Sequence, residues 1–168
     1  MTLAEINAQD RAGFVATFGA LFEHSPWVAE RAAAARPFAS VDALHGAMVA
    51  ACMAASEADQ VALIRAHPEL AGKAMTRAEL TADSTQEQAG AGLTRCSPEE
   101  AARLQTLNAR YNAKFGFPFI LAVKGRDRGE IIGEFARRVE RDRTTEFAAC
   151  LDEIATIARL RLDALITT

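Results

Sequence analysis

The stretch Gly116-Phe117-Pro118-Phe119-Ile120-Leu121-Ala122-Val123-Lys124-Gly125 is the one place where the apolar residues of this chain abandon a helical period. A continuous apolar run bounded by glycines reads as a short, extended, buried segment. A strand needs a partner, and no second run of this kind is evident in the sequence. The segment therefore predicts a buried connection in a helical protein, not one member of a sheet.

Helical punctuation runs outward from it on both sides. Ser97-Pro98-Glu99-Glu100 combines a cap, a first-turn proline and a glutamate placed to bond back to the cap's amide. Leu104, Leu107 and Tyr111 give that helix its buried face and Gly116 its stop. Beyond the segment, Asp127 can open a helix carrying Ile131, Ile132, Phe135 and Val139. Thr144 or Thr145 can open a long one carrying Phe147, Leu151, Ile154, Ala158, Leu162 and Leu165. Toward the amino end, Asp10 precedes Phe14, Phe18, Leu21 and Phe22, a helix expected to stop near His24-Ser25-Pro26. Ser25 is placed to cap the next helix, which ends before Arg36-Pro37. Ser40 and Asp42 open a helix with Leu44, Met48, Ala51 and Cys52 on one face, and residues 57–66 form another with Val61 and Ile64. Residues 72–84 show few recurring apolar positions and read as a loop. The expectation is an all-α fold, a single compact domain of about seven or eight helices over residues 1–168.

Composition sets the outer limits. A chain of 168 residues can bury roughly 70% of the surface that its unfolded form exposes. Its 50% apolar and 24% charged content is that of a soluble globular protein. With 19 basic against 22 acidic side chains there is no concentrated basic stripe, which argues against nucleic acid and for small molecules or proteins as partners. The start, MTLAEINAQDRAG, has no basic residues followed by an apolar core, and no apolar run reaches membrane-crossing length, so a cytoplasmic protein without membrane contact is expected. Cys52, Cys96 and Cys150 are widely spaced and form no CxxC pair, which favours small buried hydrophobes over disulfides or a thiolate zinc site. Ile166-Thr167-Thr168 carries no peroxisomal or lipidation signal.

Few residues offer chemistry. Gly90 and Gly92 lack the preceding strand and the spacing of a phosphate loop. HExxH is absent, and His24, His45 and His67 are too scattered to pair on a helix, so no metal site is expected. His67 stands before Pro68, which disfavours helical geometry at the preceding residue and frees the ring from a helix face. The plain alternative is a helix-ending histidine bonded to the last carbonyls. His24 shares that alternative, and His45 reads as a helix-surface residue. Ser84-Thr85-Gln86-Glu87 has the form of a capping box starting a helix through Ala91, while a glutamate there can also face a cleft. Arg161 reads as a solvated helix arginine, and Phe117 and Phe119 as core or as the wall of a pocket. A hydrolase with Ser84 as nucleophile, His67 as base and Glu87 as orienter lacks the G-x-S-x-G elbow. On the residues alone, a helical interaction module stays open beside an enzyme.

Five stretches together resemble a known family. LFEHSPWVAERA (21–32), RPF (36–38), LIRAHPELAGK (63–73), LTADSTQEQAGAGL (80–93) and LNARYNAKFGFPFILAVKG (107–125), in this order, are similar to the 2-oxo-4-hydroxy-4-carboxy-5-ureidoimidazoline (OHCU) decarboxylases of urate degradation. The resemblance spans nearly the whole chain. It implies a cofactor-free, all-helical homodimer that removes carbon dioxide from the unstable product of hydroxyisourate hydrolysis and releases (S)-allantoin. It implies His67 as acid/base residue and Glu87 as its companion, with Pro68, Ser84 and Gln88 lining the ligand site. Backbone groups of Phe119, Ile120, Leu121, Ala122 and Val123 would hold the ureido and ring-amide edges, and Arg161 would meet an oxygen or the carboxylate of the ligand. The implied substrate carries its carboxylate and a hydroxyl on one ring carbon beside a carbon–nitrogen double bond. It supplies its own electron sink, which leaves positioning and proton transfer to the protein.

Overall fold

In a computed structural model that describes residues 1–166, the described residues form ten α-helices and two short 3₁₀ turns. The helices are α1 (Leu3–Ala8), α2 (Arg11–Phe18), α3 (Trp27–Ala32), α4 (Val41–Met53), α5 (Glu57–Ala66), α6 (Lys73–Thr76), α7 (Ala82–Gly90), α8 (Pro98–Phe115), α9 (Arg128–Arg138) and α10 (Arg143–Leu165). No strand occurs among the described residues, as an all-α fold requires. The number exceeds the expected seven or eight because α1 and α6, of six and four residues, are too short to leave a periodic signature. Thr167 and Thr168, part of the tail read above for targeting signals, lie outside the described residues. Among those residues no single helix is long and apolar enough to cross a membrane.

The chain forms two compact units, one of Met1–Ala66 with the end of α10 from Ala155 onward, the other of His67–Ile154. In the first, Asp10 caps α2 through the Gly13 amide at 2.7 Å, and Ser40 caps α4 through the Ala43 amide at 3.0 Å. The core gathers Ile6, Phe14, Phe18, Val28, Leu44, Met48, Ile64 and Leu162. Asn7 clamps the backbone of Phe38 by a donated and an accepted bond, each 2.8 Å. Burial pushes the Cys52 thiol up to about 12, so it sits here as a small hydrophobe.

Three expectations fail in this unit. α2 stops at Phe18 instead of near His24, because Leu21, Phe22 and Glu23 are all buried. Three consecutive inward residues cannot share one face of a helix, whereas successive turns allow it. Ser25 does not cap α3 but donates its hydroxyl to the Glu23 carbonyl at 2.9 Å. His45 is half-buried rather than on the surface, and its Nε2 donates to the Ala155 carbonyl at 2.8 Å.

In the second unit the sequence signals are used almost as written. Ser97 and Glu100 form a reciprocal capping box with Pro98 at the helix start, and Gly116 ends α8 at φ 77°. Asp127 and Glu130 form a second box at α9. α10 begins one residue earlier than Thr144, because Asp142 accepts from both the amide and the hydroxyl of Thr145, at 2.9 and 2.6 Å. The segment from Phe117 to Val123 is buried throughout, as expected, and belongs to no helix or strand. Its Phe119 ring stacks on Phe135 at 3.9 Å, and Tyr111 meets both edge-on. Ser97→Ala is expected to lower stability by about 1 kcal/mol in urea unfolding, with Ser97→Asp staying near wild type.

Candidate active site

His67 is the first residue after α5, where Pro68 ends the helix as its ring demands. The imidazole is buried, with 6% of the residue exposed. The chain then turns back on itself through Glu69 to Gly72. Ala71 adopts φ 49°, in the left-handed region, at a cost of roughly 1–2 kcal/mol for a residue with a Cβ. A Cβ on Gly72 would stand 2.6 Å from that of Glu69 and 2.8 Å from its carboxylate, so glycine lets Glu69 fold back over the turn.

Helix α7 supplies the facing surface. Its cap is Thr81, which accepts from the Ser84 amide at 3.3 Å, so the expected capping box at Ser84 is not formed. A hydroxyl three residues upstream does the capping and leaves Ser84 within the first turn of the helix. Ser84 and Gln88 are then buried and Glu87 half-buried, the three sharing one helix face. This placement also removes the nucleophile reading of Ser84, since it lies inside a helix and not on a strand-to-helix elbow.

Gln88 joins this face to the histidine loop. Its Oε1 accepts from the Ala71 amide at 2.9 Å, and its Nε2 donates to the Glu69 carbonyl at 3.2 Å. From α8, Asn108 Nδ2 donates to the Leu70 carbonyl at 3.0 Å and Asn112 Nδ2 to Glu69 Oε1 at 2.6 Å. The loop bearing His67 and Pro68 is thus brought against the face bearing Ser84, Glu87 and Gln88.

The extended segment is held by charge. Arg138, 1% exposed, donates from Nε to both carboxylate oxygens of Glu146, itself 0% exposed, and from Nη1 to the Ile120 carbonyl at 2.8 Å. Tyr111 donates its hydroxyl to Glu146 at 2.5 Å. Burial works against the charge of Arg138, but the bonds and charge of Glu146 outweigh it and the guanidinium holds its proton more tightly than usual. Burial, with Cys150 and Glu146 adding to it, pushes the Tyr111 phenol far above its ordinary range, so it stays a donor. Further along, the Ala122 amide donates to Glu153 at 2.8 Å, and the Ala122 and Val123 carbonyls accept from Arg126 at 3.1 Å each.

Arg161 belongs to the first unit and is not solvated. It is 8% exposed and donates from Nη1 to Glu23 at 2.9 Å and to the Leu21 carbonyl at 3.4 Å. No group of three or more metal-ligating side chains occurs among the described residues.

The family model for OHCU decarboxylase matches residues 7–163. The chain belongs to the OHCU decarboxylase family. It is 46% identical to the 2-oxo-4-hydroxy-4-carboxy-5-ureidoimidazoline decarboxylase of Haloferax volcanii, over 96% of this chain and 94% of that one. With the decarboxylase of that name from Mus musculus it shares 37% identity, over 99% and 93% of the two chains. Among solved structures it is similar to an (S)-allantoin synthase, with a TM-score of 0.82 at 26% identity, covering all of this chain and 55% of the other.

Several residues that bond the histidine loop and the segment after Gly116, directly or through Arg138, in this member of the OHCU decarboxylase family carry no expectation from the sequence: Asn108, Asn112, Arg138, Glu146 and Glu153. One signal was available. Glu146, Cys150 and Ile154 recur every four residues, so Glu146 lies on the buried stripe of α10, and Asn108 lies likewise among Leu104, Leu107 and Tyr111. A polar residue on an apolar stripe asks for a buried partner. Glu146→Ala strands the buried guanidinium and is expected to cost about 3–5 kcal/mol in urea unfolding. Tyr111→Phe removes one neutral donor and is expected to cost less, about 1–3 kcal/mol.

Proposed function

We propose that this protein decarboxylates 2-oxo-4-hydroxy-4-carboxy-5-ureidoimidazoline to (S)-allantoin and carbon dioxide without a cofactor, using His67 for proton transfer and Glu87 as its companion. One observation carries the proposal: the two bonds of Gln88 that join the helix face bearing Glu87 to the loop bearing His67. Membership of the OHCU decarboxylase family supports it.

The chemistry asks for these residue types. As carbon dioxide leaves, its bonding electrons form a double bond to the neighbouring ring carbon, and the ring nitrogen takes up the displaced pair with a proton. The hydroxyl proton then leaves as the carbonyl forms, and a proton is added to the carbon bearing the ureido group. Delivery from one face of that planar centre sets the handedness of the product. An imidazole near neutral pH can accept one of these protons or return another, and a carboxylate beside it fixes its orientation.

Pro68, Ser84 and Gln88 border the ligand in this proposal, and Arg161 meets one of its oxygens or its carboxylate. The Ile120 carbonyl, the Ala122 amide and carbonyl and the Val123 carbonyl are bonded within the protein. Recognition of the ureido and ring-amide edges therefore falls chiefly to the other backbone groups from Phe119 to Val123. The proposal includes a homodimer, as the resemblance implies, and a cytoplasmic location, as expected from the sequence. It also treats the whole chain as one enzyme domain, which the family match across both units supports.

Circular dichroism of allantoin formed from freshly generated substrate tests the reading. Wild type is expected to give optically active (S)-allantoin rapidly, and His67→Ala to lose about 10²- to 10⁴-fold in kcat. Unchanged turnover in His67→Ala overturns the role of the histidine. Racemic product at the uncatalysed rate from wild type overturns the function.

A further inference from the structure

The backbone of the loop that carries His67 is bonded by side chains of α7 and α8, and we infer that Asn108 is a positioning residue for that histidine. For its kinetic test the inference rests on the decarboxylase reading. Three consecutive residues of the loop, Glu69, Leu70 and Ala71, each have a backbone group bonded to an amide side chain of another helix. Gln88 takes the Glu69 carbonyl and the Ala71 amide, and Asn108 takes the Leu70 carbonyl between them. Asn112 bonds both the Glu69 carboxylate and the Asn108 carbonyl, at 2.6 and 2.9 Å, so the two α8 asparagines act together on the loop.

Two features show that the brace sets geometry beyond what packing needs. Ala71 keeps a left-handed backbone, which persists only where the surroundings determine it. Asn108 is 4% exposed, and its buried Oδ1 accepts no hydrogen bond from the described residues. A bare buried acceptor destabilises a protein, and leucine would continue the stripe of Leu104, Leu107 and Tyr111 without that penalty. What asparagine offers and leucine lacks is the donor to Leu70. His67 stands three residues from that carbonyl, and Pro68 stiffens the backbone between them. A shift of the loop at Leu70 is therefore carried to the imidazole.

The test compares wild type with Asn108→Leu. Expected are an unfolding temperature at or above wild type, a KM left unchanged and a kcat lowered by up to about 10²-fold, the cost of misplacing a reacting group by a fraction of a bond length. The second readout needs no substrate. The chain has three histidines, so ¹⁵N-edited imidazole resonances of His67 can be assigned through His67→Gln. In Asn108→Leu they are expected to move, with those of His24 and His45 staying in place. Wild-type kcat together with unmoved His67 resonances overturns the inference. So does a raised KM with unchanged kcat, which makes Asn108 a ligand contact. If Asn108→Leu does not fold, Asn112→Ala, at a partly exposed site, is held to the same two readouts. If wild type proves inactive, the decarboxylase reading fails by itself and the imidazole spectrum decides the inference.

Discussion

The buried ion pair of Arg138 and Glu146 is the interaction on which the second unit turns. Extended backbone in a helical protein has no ladder to satisfy its amides and carbonyls, and leaving them bare inside the protein is costly. Arg138 answers this by bonding the Ile120 carbonyl while lying over the Phe119 ring at 4.6 Å. A guanidinium can do so only if its own charge is compensated, which Glu146 achieves with both oxygens and with Tyr111 as a further donor. Desolvating two charges costs several kcal/mol per ion unless geometry and hydrogen bonds are good. Here the bonds are numerous, and the return is a segment fixed in a shape that no neighbouring strand imposes.

The histidine loop meets the same problem with different chemistry. Its backbone exchanges hydrogen bonds with two neutral amides, Gln88 and Asn108, while a third, Asn112, holds the Glu69 carboxylate. The difference suits the task. A residue that both takes and gives a proton is sensitive to nearby charge, and a neutral amide fixes position without adding a field of its own. An ion pair holds the segment at Ile120, and neutral amides hold the loop at Glu69, Leu70 and Ala71.

Much of this was legible in the sequence. Caps at Asp10, Ser40, Ser97 and Asp127 are local, made between residues three apart, and each forms where the sequence places it. The single break in the helical period marked the segment from Phe117 to Val123. Ser84 was misread because S-x-x-E is satisfied on paper at Ser84-Thr85-Gln86-Glu87, while Thr81 offers an equivalent hydroxyl three residues earlier and tertiary packing chose between them. The buried pairing of Arg161 was not legible because its partner Glu23 lies 138 positions away, beyond any local pattern. The braces at Asn108 and Arg138 were illegible for the same reason: a donor's residue type is visible in the sequence, but the carbonyl it will reach is not.

Helix α8 shows how the two supports come from one element. Asn108 and Asn112, one turn apart, reach the histidine loop, and Tyr111 and Phe115 pack toward the extended segment. Adjacent residues on a helix point about a hundred degrees apart, so a single rigid rod can present amides to one irregular stretch and aromatic rings to another. The left-handed glycine at its end then feeds the chain straight into that second stretch. A reaction whose substrate supplies its own electron sink leaves the protein little to do except hold groups in place. Gln88, Asn108 and Arg138 meet that demand: each is buried, each bonds backbone, and the backbone they bond is the irregular part.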